Sequence, residues 1–126
     1  MEQKKILIVD DDKGLQKSLG GKLEEAGFIV LSAENAPKGL EAAANNHPDL
    51  ILLDIVMPTV DGMALLKALR EDDWGKNAKV ILLTNLRENK KVAEALELGS
   101  FDYLVKADWS LSSIVEMIKE KLKSDQ

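Results

Sequence analysis

Short apolar runs alternate along the chain with segments whose apolar residues recur every three or four positions. Five of these runs have the length and composition of strands, and they cover residues 6–9, 28–33, 50–53, 80–83 and 101–105. A continuous apolar run is typical of a strand that is covered on both faces. The pattern therefore predicts a parallel sheet with helices packed on both sides.

The segments between these runs have helical periodicity. The first extends from Lys13 to Ala26 and carries leucines on one face, and Gly27 is its natural stop. Four more helices are predicted over 35–46, over 63–71, around Val92 and Leu96, and over 111–122. The chain thus predicts five β-α units in an open, doubly wound α/β fold, with residues 1–126 forming one domain and no output domain.

Composition and charge limit the possible functions. Hydrophobic residues make up 45% and charged residues 31%, which is typical of a globular domain. The net charge of −5 disfavours direct binding to a nucleic-acid backbone. The absence of cysteine excludes thiolate metal sites and thiol nucleophiles. No apolar run has the length of a signal peptide or a membrane span, so we expect a cytoplasmic protein without membrane contact.

Polar residues follow four of the five predicted strands. Asp10 and Asp11 follow the first strand, Asp54 the third and Thr84 the fourth, and Lys106 ends the fifth. In an open α/β sheet, ligands bind at the C-terminal ends of the strands. We therefore expect these side chains to lie close together.

Each of these residues also has an ordinary structural explanation. An aspartate before a helix commonly caps it, and for Asp12 this explanation is preferred. Thr84 suits a strand, and Lys106 suits a solvated surface. The coincidence of four strand ends nevertheless favours a functional site.

Three clustered carboxylates repel one another, and a hard divalent cation relieves that repulsion. Mg²⁺ binds a few carboxylates together with water and phosphate oxygens. A carboxylate can also act as a covalent nucleophile toward phosphorus, and phosphoryl transfer then requires mainly positioning and charge neutralisation. The predicted cluster has what an aspartyl-phosphate site needs.

The motifs that carry these residues are ILIVDD at 6–11, LDIVMP at 53–58 with DG at 61–62, LT at 83–84 and YLVK at 103–106. As a set, in this order and spacing, they resemble the receiver domain of two-component response regulators over essentially the whole chain. The resemblance implies a flavodoxin-like sheet of strand order 2-1-3-4-5. The chain is similar to stand-alone, chemotaxis-type regulators. We expect from its length that it is such a regulator and not a receiver cut from a longer protein.

The resemblance also implies roles for individual residues. Asp54 would accept a phosphoryl group from a histidine kinase or a histidine phosphotransfer protein. Mg²⁺ would be the cofactor, bound by Asp54, directly by Asp11, mostly through water by Asp10, and by the backbone carbonyl of Val56. Lys106 would pair first with the carboxylate and then with the phosphoryl group.

The same resemblance implies a switch. Thr84 would move toward the phosphoryl oxygens, and Tyr103 would turn inward. The change would reach a downstream protein through the face formed by the fourth helix, fifth strand and fifth helix. The protein would be a monomer or a phosphorylation-dependent dimer, and it would promote its own phosphorylation and dephosphorylation without being a turnover enzyme.

The sequence departs from the family pattern beside the site. Ala107 follows the lysine where the family usually has proline, so the sequence leaves the Lys106–Ala107 bond undecided between cis and trans. Asn85 follows Thr84 in place of a commoner small residue. By family analogy we predict a slowly hydrolysed phosphoaspartate.

Three other functions compete with the switch. An Mg²⁺-dependent phosphohydrolase of the haloacid dehalogenase type would need a second acid two positions after Asp54, where Val56 stands. A non-phosphorylated receiver-fold module would lack the phosphoacceptor, a metal acid or the lysine, all of which are present. A flavin or dinucleotide binder would carry a glycine-rich loop after the first strand, where the chain has Asp10 and Asp11.

Overall fold

The computed structural model describes residues 3–54, 62–84, 93, 97, 102–105 and 109–123. Within these ranges, five strands form one parallel sheet in the order β2-β1-β3-β4-β5. The strands are β1 (Lys5–Val9), β2 (Ile29–Ala33), β3 (Leu50–Leu53), β4 (Val80–Thr84) and β5 (Asp102–Val105). The predicted doubly wound sheet and its strand order are confirmed.

Helices lie between the strands. They are α1 (Lys13–Glu25), α2 (Ala36–Asn46), α3 (Gly62–Glu71) and the closing helix (Leu111–Lys123), with a 3₁₀ turn at Gly75–Asn77 before β4. Of the predicted fourth helix, the described residues include only Ala93 and Glu97, and both are helical. Among the described residues, no helix has the length and hydrophobicity to cross a membrane.

The apolar strands supply both faces of the sheet because successive side chains point to opposite sides. Leu7 and Val9 of β1 belong to a core cluster with residues of α2 and α3. Ile6 and Ile8 belong to a second cluster with residues of α1 and the closing helix. All four residues of β3 are buried. The central strands are thus fixed from both sides, and their C-terminal ends are held in place.

Several predicted boundaries move by one residue, and two of these shifts have a clear local reason. Phe28 was expected in β2, but its N–H donates to the carbonyl of Leu23 at 3.1 Å and closes the end of α1. Gly27 adopts a φ of 98° there, a left-handed conformation that glycine reaches without strain. Asn35 was expected inside α2, but it is the cap, because its side chain accepts a hydrogen bond from the N–H of Lys38.

The helical glycines differ in their surroundings. A Cβ at Gly21 would meet nothing within 4 Å, and one at Gly20 would meet Val30 at an ordinary 3.5 Å. A Cβ at Gly39 would lie 2.9 Å from a methyl carbon of Val9 and 3.2 Å from Leu65. Of these three glycines, Gly39 is the one that the packing of its helix on the sheet requires.

Candidate functional site

Asp10 lies just beyond the end of β1. Its N–H donates to the carbonyl of Ala33 at 3.0 Å, which continues the pairing with β2 by one bond. Its Oδ1 accepts a hydrogen bond from the N–H of Asp12 at 2.9 Å. The residue is only 1% exposed. Asp10 is therefore a buried carboxylate whose main chain and side chain are both held.

The next two residues separate into different roles. Asp11 is exposed. Asp12 is the N-cap of α1, because its Oδ1 accepts a hydrogen bond from the N–H of Leu15 at 3.0 Å. The structural explanation preferred for Asp12 is confirmed, and Asp11 is left as the more accessible carboxylate.

Asp54 lies at the C-terminal end of β3, in the middle of the sheet. Its N–H donates to the carbonyl of Val9 at 3.0 Å, so the end of β3 is tied to the end of β1. The residue is 6% exposed. Asp10 and Asp54 are thus the two buried charged residues among those that the structure describes, and they follow neighbouring strands.

The three aspartates meet at the C-terminal end of the sheet. One carboxylate oxygen from each of Asp10, Asp11 and Asp54 lies within 4.8 Å of the other two. We call these three residues the carboxylate cluster. Among the described residues, no other group of three metal-ligating side chains meets at one point.

The carboxylate cluster fits a magnesium ion in its chemistry and in its size. Mg²⁺ takes oxygen ligands at about 2.1 Å, so two ligands on opposite sides of the ion are about 4.2 Å apart. The three oxygens all lie within 4.8 Å of one another, so a single ion could reach them directly or through a bound water.

The remaining predicted site residues are described in part or not at all. Thr84 is the last residue of β4 and is paired in register with Val105 of β5. Tyr103 lies within β5, in register with Leu82. Lys106 and Val56 lie outside the described residues, as does the Lys106–Ala107 bond. Because β4 and β5 run parallel to β3, their C-terminal ends lie at the same end of the sheet as the carboxylate cluster.

Glu34, which follows β2, is engaged elsewhere. Its Oε1 accepts a hydrogen bond from Nζ of Lys38 at 2.7 Å. That hydrogen bond, with the positive charges of Lys38 and Lys13, holds the pKa of Glu34 below its ordinary value. Because the pair is exposed, it adds little to stability. The sequence predicted no site residue after β2, and the pairing of Glu34 with Lys38 agrees with that prediction.

Gln16 of α1 is a polar residue at this end of the sheet that the sequence did not single out. Its Nε2 donates toward three backbone carbonyl oxygens, those of Ile8, Asp10 and Ala33, at 3.0, 3.0 and 2.9 Å. The sequence carries no signal for these contacts, because a glutamine seven positions after the end of β1 belongs to no motif. The contacts depend on how α1 packs against β1 and β2.

The sequence of this chain matches a known protein family, and the fold and the carboxylate cluster agree with that match. Residues 6–119 match the profile of the response regulator receiver domain. This chain belongs to that family. Receiver domains are phosphorylation-activated switches of two-component signalling, and this chain is such a switch. In general they are not turnover enzymes, and they bind Mg²⁺ at an acidic cluster and receive their signal from histidine kinases.

Relatives and solved structures support the assignment. The probable transcriptional regulatory protein SilR of Salmonella typhimurium is 43% identical over 102 residues, which are 81% of this chain and 44% of that protein. PhoB of Pseudomonas aeruginosa, a phosphate regulon transcriptional regulatory protein, is 34% identical over 98% of this chain and 53% of its own length. The chain therefore spans about half the length of the curated relatives that it matches.

Among solved structures, similar chains match along nearly their whole length. A CheY-like receiver domain protein from Methanospirillum hungatei has a TM-score of 0.89 and 32% identity, with coverage of 98% of this chain and 96% of that chain. The chemotaxis protein CheY4 of Vibrio cholerae has a TM-score of 0.86 and 25% identity, with coverage of 94% and 98%. The flavodoxin-like fold is thereby established independently of the sequence motifs.

Proposed function

We propose that Asp54 is the phosphoacceptor of this receiver domain and that the carboxylate cluster holds the Mg²⁺ ion that the reaction requires. The observation that carries the proposal is the meeting of Asp10, Asp11 and Asp54 within 4.8 Å at the C-terminal end of the sheet. With no cation, three carboxylates at this distance repel one another. A divalent ion offsets that repulsion and would also neutralise charge on an incoming phosphoryl group.

The positions of the three carboxylates favour Asp54 as the nucleophile. Asp54 directly follows β3, the middle strand, so it lies between the ends of β1 and β4. Asp10 already accepts a hydrogen bond at Oδ1 from the N–H of Asp12, which fixes it as a support for the metal. Asp11 is exposed and can reach the ion without rearranging the core. The Val56 carbonyl is proposed as a further metal ligand by family analogy.

The reaction is a transfer between two nucleophiles. A carboxylate oxygen of Asp54 forms a bond to phosphorus as the bond from phosphorus to a histidine nitrogen of the donor breaks. The electron pair of the broken bond stays on the imidazole, which takes up a proton. Bound Mg²⁺ supplies charge neutralisation at the phosphoryl oxygens. We assign Lys106 and Thr84 to the same oxygens, as a point charge and a hydroxyl donor.

Signal output is proposed by family analogy. Thr84 and Tyr103 lie on β4 and β5, and a shift of Thr84 toward the phosphoryl group would free space for Tyr103. The change would alter the face that the fifth strand and closing helix share with the predicted fourth helix, and a downstream protein or a second copy would bind there. We propose that this single domain acts in the cytoplasm, with a histidine kinase or phosphotransfer protein as donor, and does not itself contact nucleic acid.

The experiment that tests the acceptor is incubation with acetyl phosphate and Mg²⁺, followed by intact mass spectrometry. The wild-type protein should gain one phosphoryl group, and Asp54→Asn should gain none. Asp73→Asn is the matched control, because Asp73 is an exposed carboxylate in the loop after α3. Equal phosphorylation of wild type and Asp54→Asn would refute the assignment, whereas catalytic hydrolysis of a free phosphomonoester in a separate assay would favour a phosphohydrolase.

A further inference from the structure

We propose that Gln16 is a positioning residue for the carboxylate cluster. Its side-chain amide holds together the C-terminal ends of β1 and β2, and through them it sets the placement of Asp10 and Asp11. The inference rests on the proposed function of the cluster as a magnesium site. It adds to that site a residue that does not touch the ion.

The amide of Gln16 lies at the point where two strands end. Nε2 is 3.0 Å from the carbonyl oxygen of Ile8 and 3.0 Å from that of Asp10, both on the β1 side. It is 2.9 Å from the carbonyl oxygen of Ala33, the last residue of β2. An amide nitrogen carries two hydrogens, so three acceptors at this distance share them. One side chain thus links three carbonyls from two strands.

The contact with Asp10 continues the sheet where its own pairing stops. The register between β1 and β2 ends at Val9 and Ala33. One more bond follows, from the N–H of Asp10 to the carbonyl of Ala33. The next polar group along the chain is the carbonyl of Asp10, and it accepts a hydrogen bond from the side-chain amide of Gln16. Gln16 therefore holds the peptide group of Asp10 and Asp11, which lies beyond the last paired residues of β1 and β2.

This peptide group is the one that joins two of the three carboxylates. The carbonyl carbon and oxygen of Asp10 lie in one plane with the nitrogen of Asp11, because the peptide bond is planar. A hydrogen bond to that oxygen therefore fixes the plane from which the side chains of Asp10 and Asp11 diverge. Residues that orient metal ligands without binding the ion commonly change metal affinity by about 10–100-fold when they are replaced.

The three carbonyls set the orientation of the amide, although its other end is left without a partner among the described residues. Oε1 of Gln16 is buried and accepts no hydrogen bond from any described residue. Rotating the amide by half a turn would place that oxygen against three carbonyl oxygens, which would repel it. The orientation is thus set by the carbonyls, even though a buried acceptor is left without a donor.

The test compares two substitutions of glutamine by methionine. Gln16→Met keeps the length of the side chain and removes both donors. Gln3→Met is the matched control, because Nε2 of Gln3 donates to the carbonyl of Gly27 at 2.9 Å, in an exposed contact outside the carboxylate cluster. Isothermal titration calorimetry gives the Mg²⁺ dissociation constant of each folded protein, and urea unfolding without Mg²⁺ gives its stability.

We expect Gln16→Met to weaken Mg²⁺ binding by about 10-fold and Gln3→Met to leave it unchanged. Phosphorylation of Gln16→Met by acetyl phosphate should be slow at limiting Mg²⁺ and should recover at saturating Mg²⁺. Gln16→Asn, which keeps an amide but shortens its reach, should weaken binding in the same direction. It serves as the second variant if Gln16→Met does not fold.

A purely structural role for Gln16 makes a different prediction. The variants would lose stability, but the folded protein would bind Mg²⁺ as the wild type does, and that result would overturn the inference. In the wild type, the side-chain amide protons of Gln16 should shift in NMR spectra during Mg²⁺ titration, and unshifted signals would also count against it. Failure of the wild type to bind Mg²⁺ would instead remove the proposed function, on which the inference rests.

Discussion

Replacing glycine by alanine at positions 21 and 39 should have opposite effects on stability. Both glycines lie within helices, Gly21 in α1 and Gly39 in α2. A Cβ at position 21 would enter open space, whereas at position 39 it would press on Val9. The two substitutions are chemically identical, so any difference between them reports the packing.

The magnitudes follow from helix propensity and overpacking. Alanine is favoured over glycine in a helix by about 1 kcal/mol, so Gly21→Ala should stabilise the protein by about that amount. At position 39 the new carbon would lie 2.9 and 3.0 Å from the two methyl carbons of Val9. Overpacking of a filled core costs about 1–3 kcal/mol. Gly39→Ala should therefore destabilise the protein by up to about 2 kcal/mol.

Urea unfolding followed by circular dichroism measures both variants. With a slope of about 2 kcal/mol per molar urea, Gly21→Ala should raise the midpoint by about 0.5 M and Gly39→Ala should lower it by up to about 1 M. The measurement omits Mg²⁺, because a ligand that binds only the folded state would add its own stabilisation. A rise in the midpoint for Gly39→Ala equal to that for Gly21→Ala would refute the packing argument.

Three further predictions concern caps, turns and the metal. Asp12→Ala should lose about 1 kcal/mol of stability, as its cap on α1 is removed, while Asp12→Asn should stay close to wild type in urea unfolding. Gly27→Ala should lose about 1 kcal/mol in the same assay, because its φ of 98° strains any residue with a Cβ; a neutral result would contradict this. Mg²⁺ at 100 times its dissociation constant should raise the free energy of unfolding of the wild type by about 2.7 kcal/mol, and Asp11→Asn should reduce that gain at the same Mg²⁺ concentration.

The fold could be predicted from the sequence because its strongest signals are local and redundant. The run from Leu50 to Leu53 is apolar at every position, and all four residues are buried in the middle of the sheet. The face of α1 is marked by Leu19 and Leu23, which are both fully buried. Where a boundary shifted, as at Phe28, the decision came from one hydrogen bond that the hydrophobic pattern does not encode.

The carboxylate cluster could be predicted for a related reason. Parallel strands end at the same side of a sheet, so residues that follow the strands in sequence must converge in space. To predict that Asp10 and Asp54 lie close together, it was enough to assign β1 and β3 correctly. The meeting of these residues with Asp11 is confirmed, while the placement of the Lys106 side chain stays a prediction.

Contacts between elements that are far apart in sequence were not predictable. His47 ends α2 in a left-handed conformation, with a φ of 45°, and its ring stacks on Trp74 with centroids 4.5 Å apart. A Cβ at position 39 would press on Val9 only because α2 crosses the sheet at that point. These contacts depend on the relative placement of packed elements, which a periodic pattern along one element does not contain.

Hydrophobic burial and polar contacts therefore determine the site at different length scales. The apolar faces of β1 and β3 bring Asp10 and Asp54 to the same end of the sheet, but a coarse hydrophobic pattern tolerates shifts that a metal site does not. The finer placement comes from single hydrogen bonds, from the Asp54 N–H to Val9 and from the Asp12 N–H to the Asp10 carboxylate. Because such bonds lie at strand ends, where the ladder no longer constrains the chain, we expect their loss to alter ion binding more than it alters the fold.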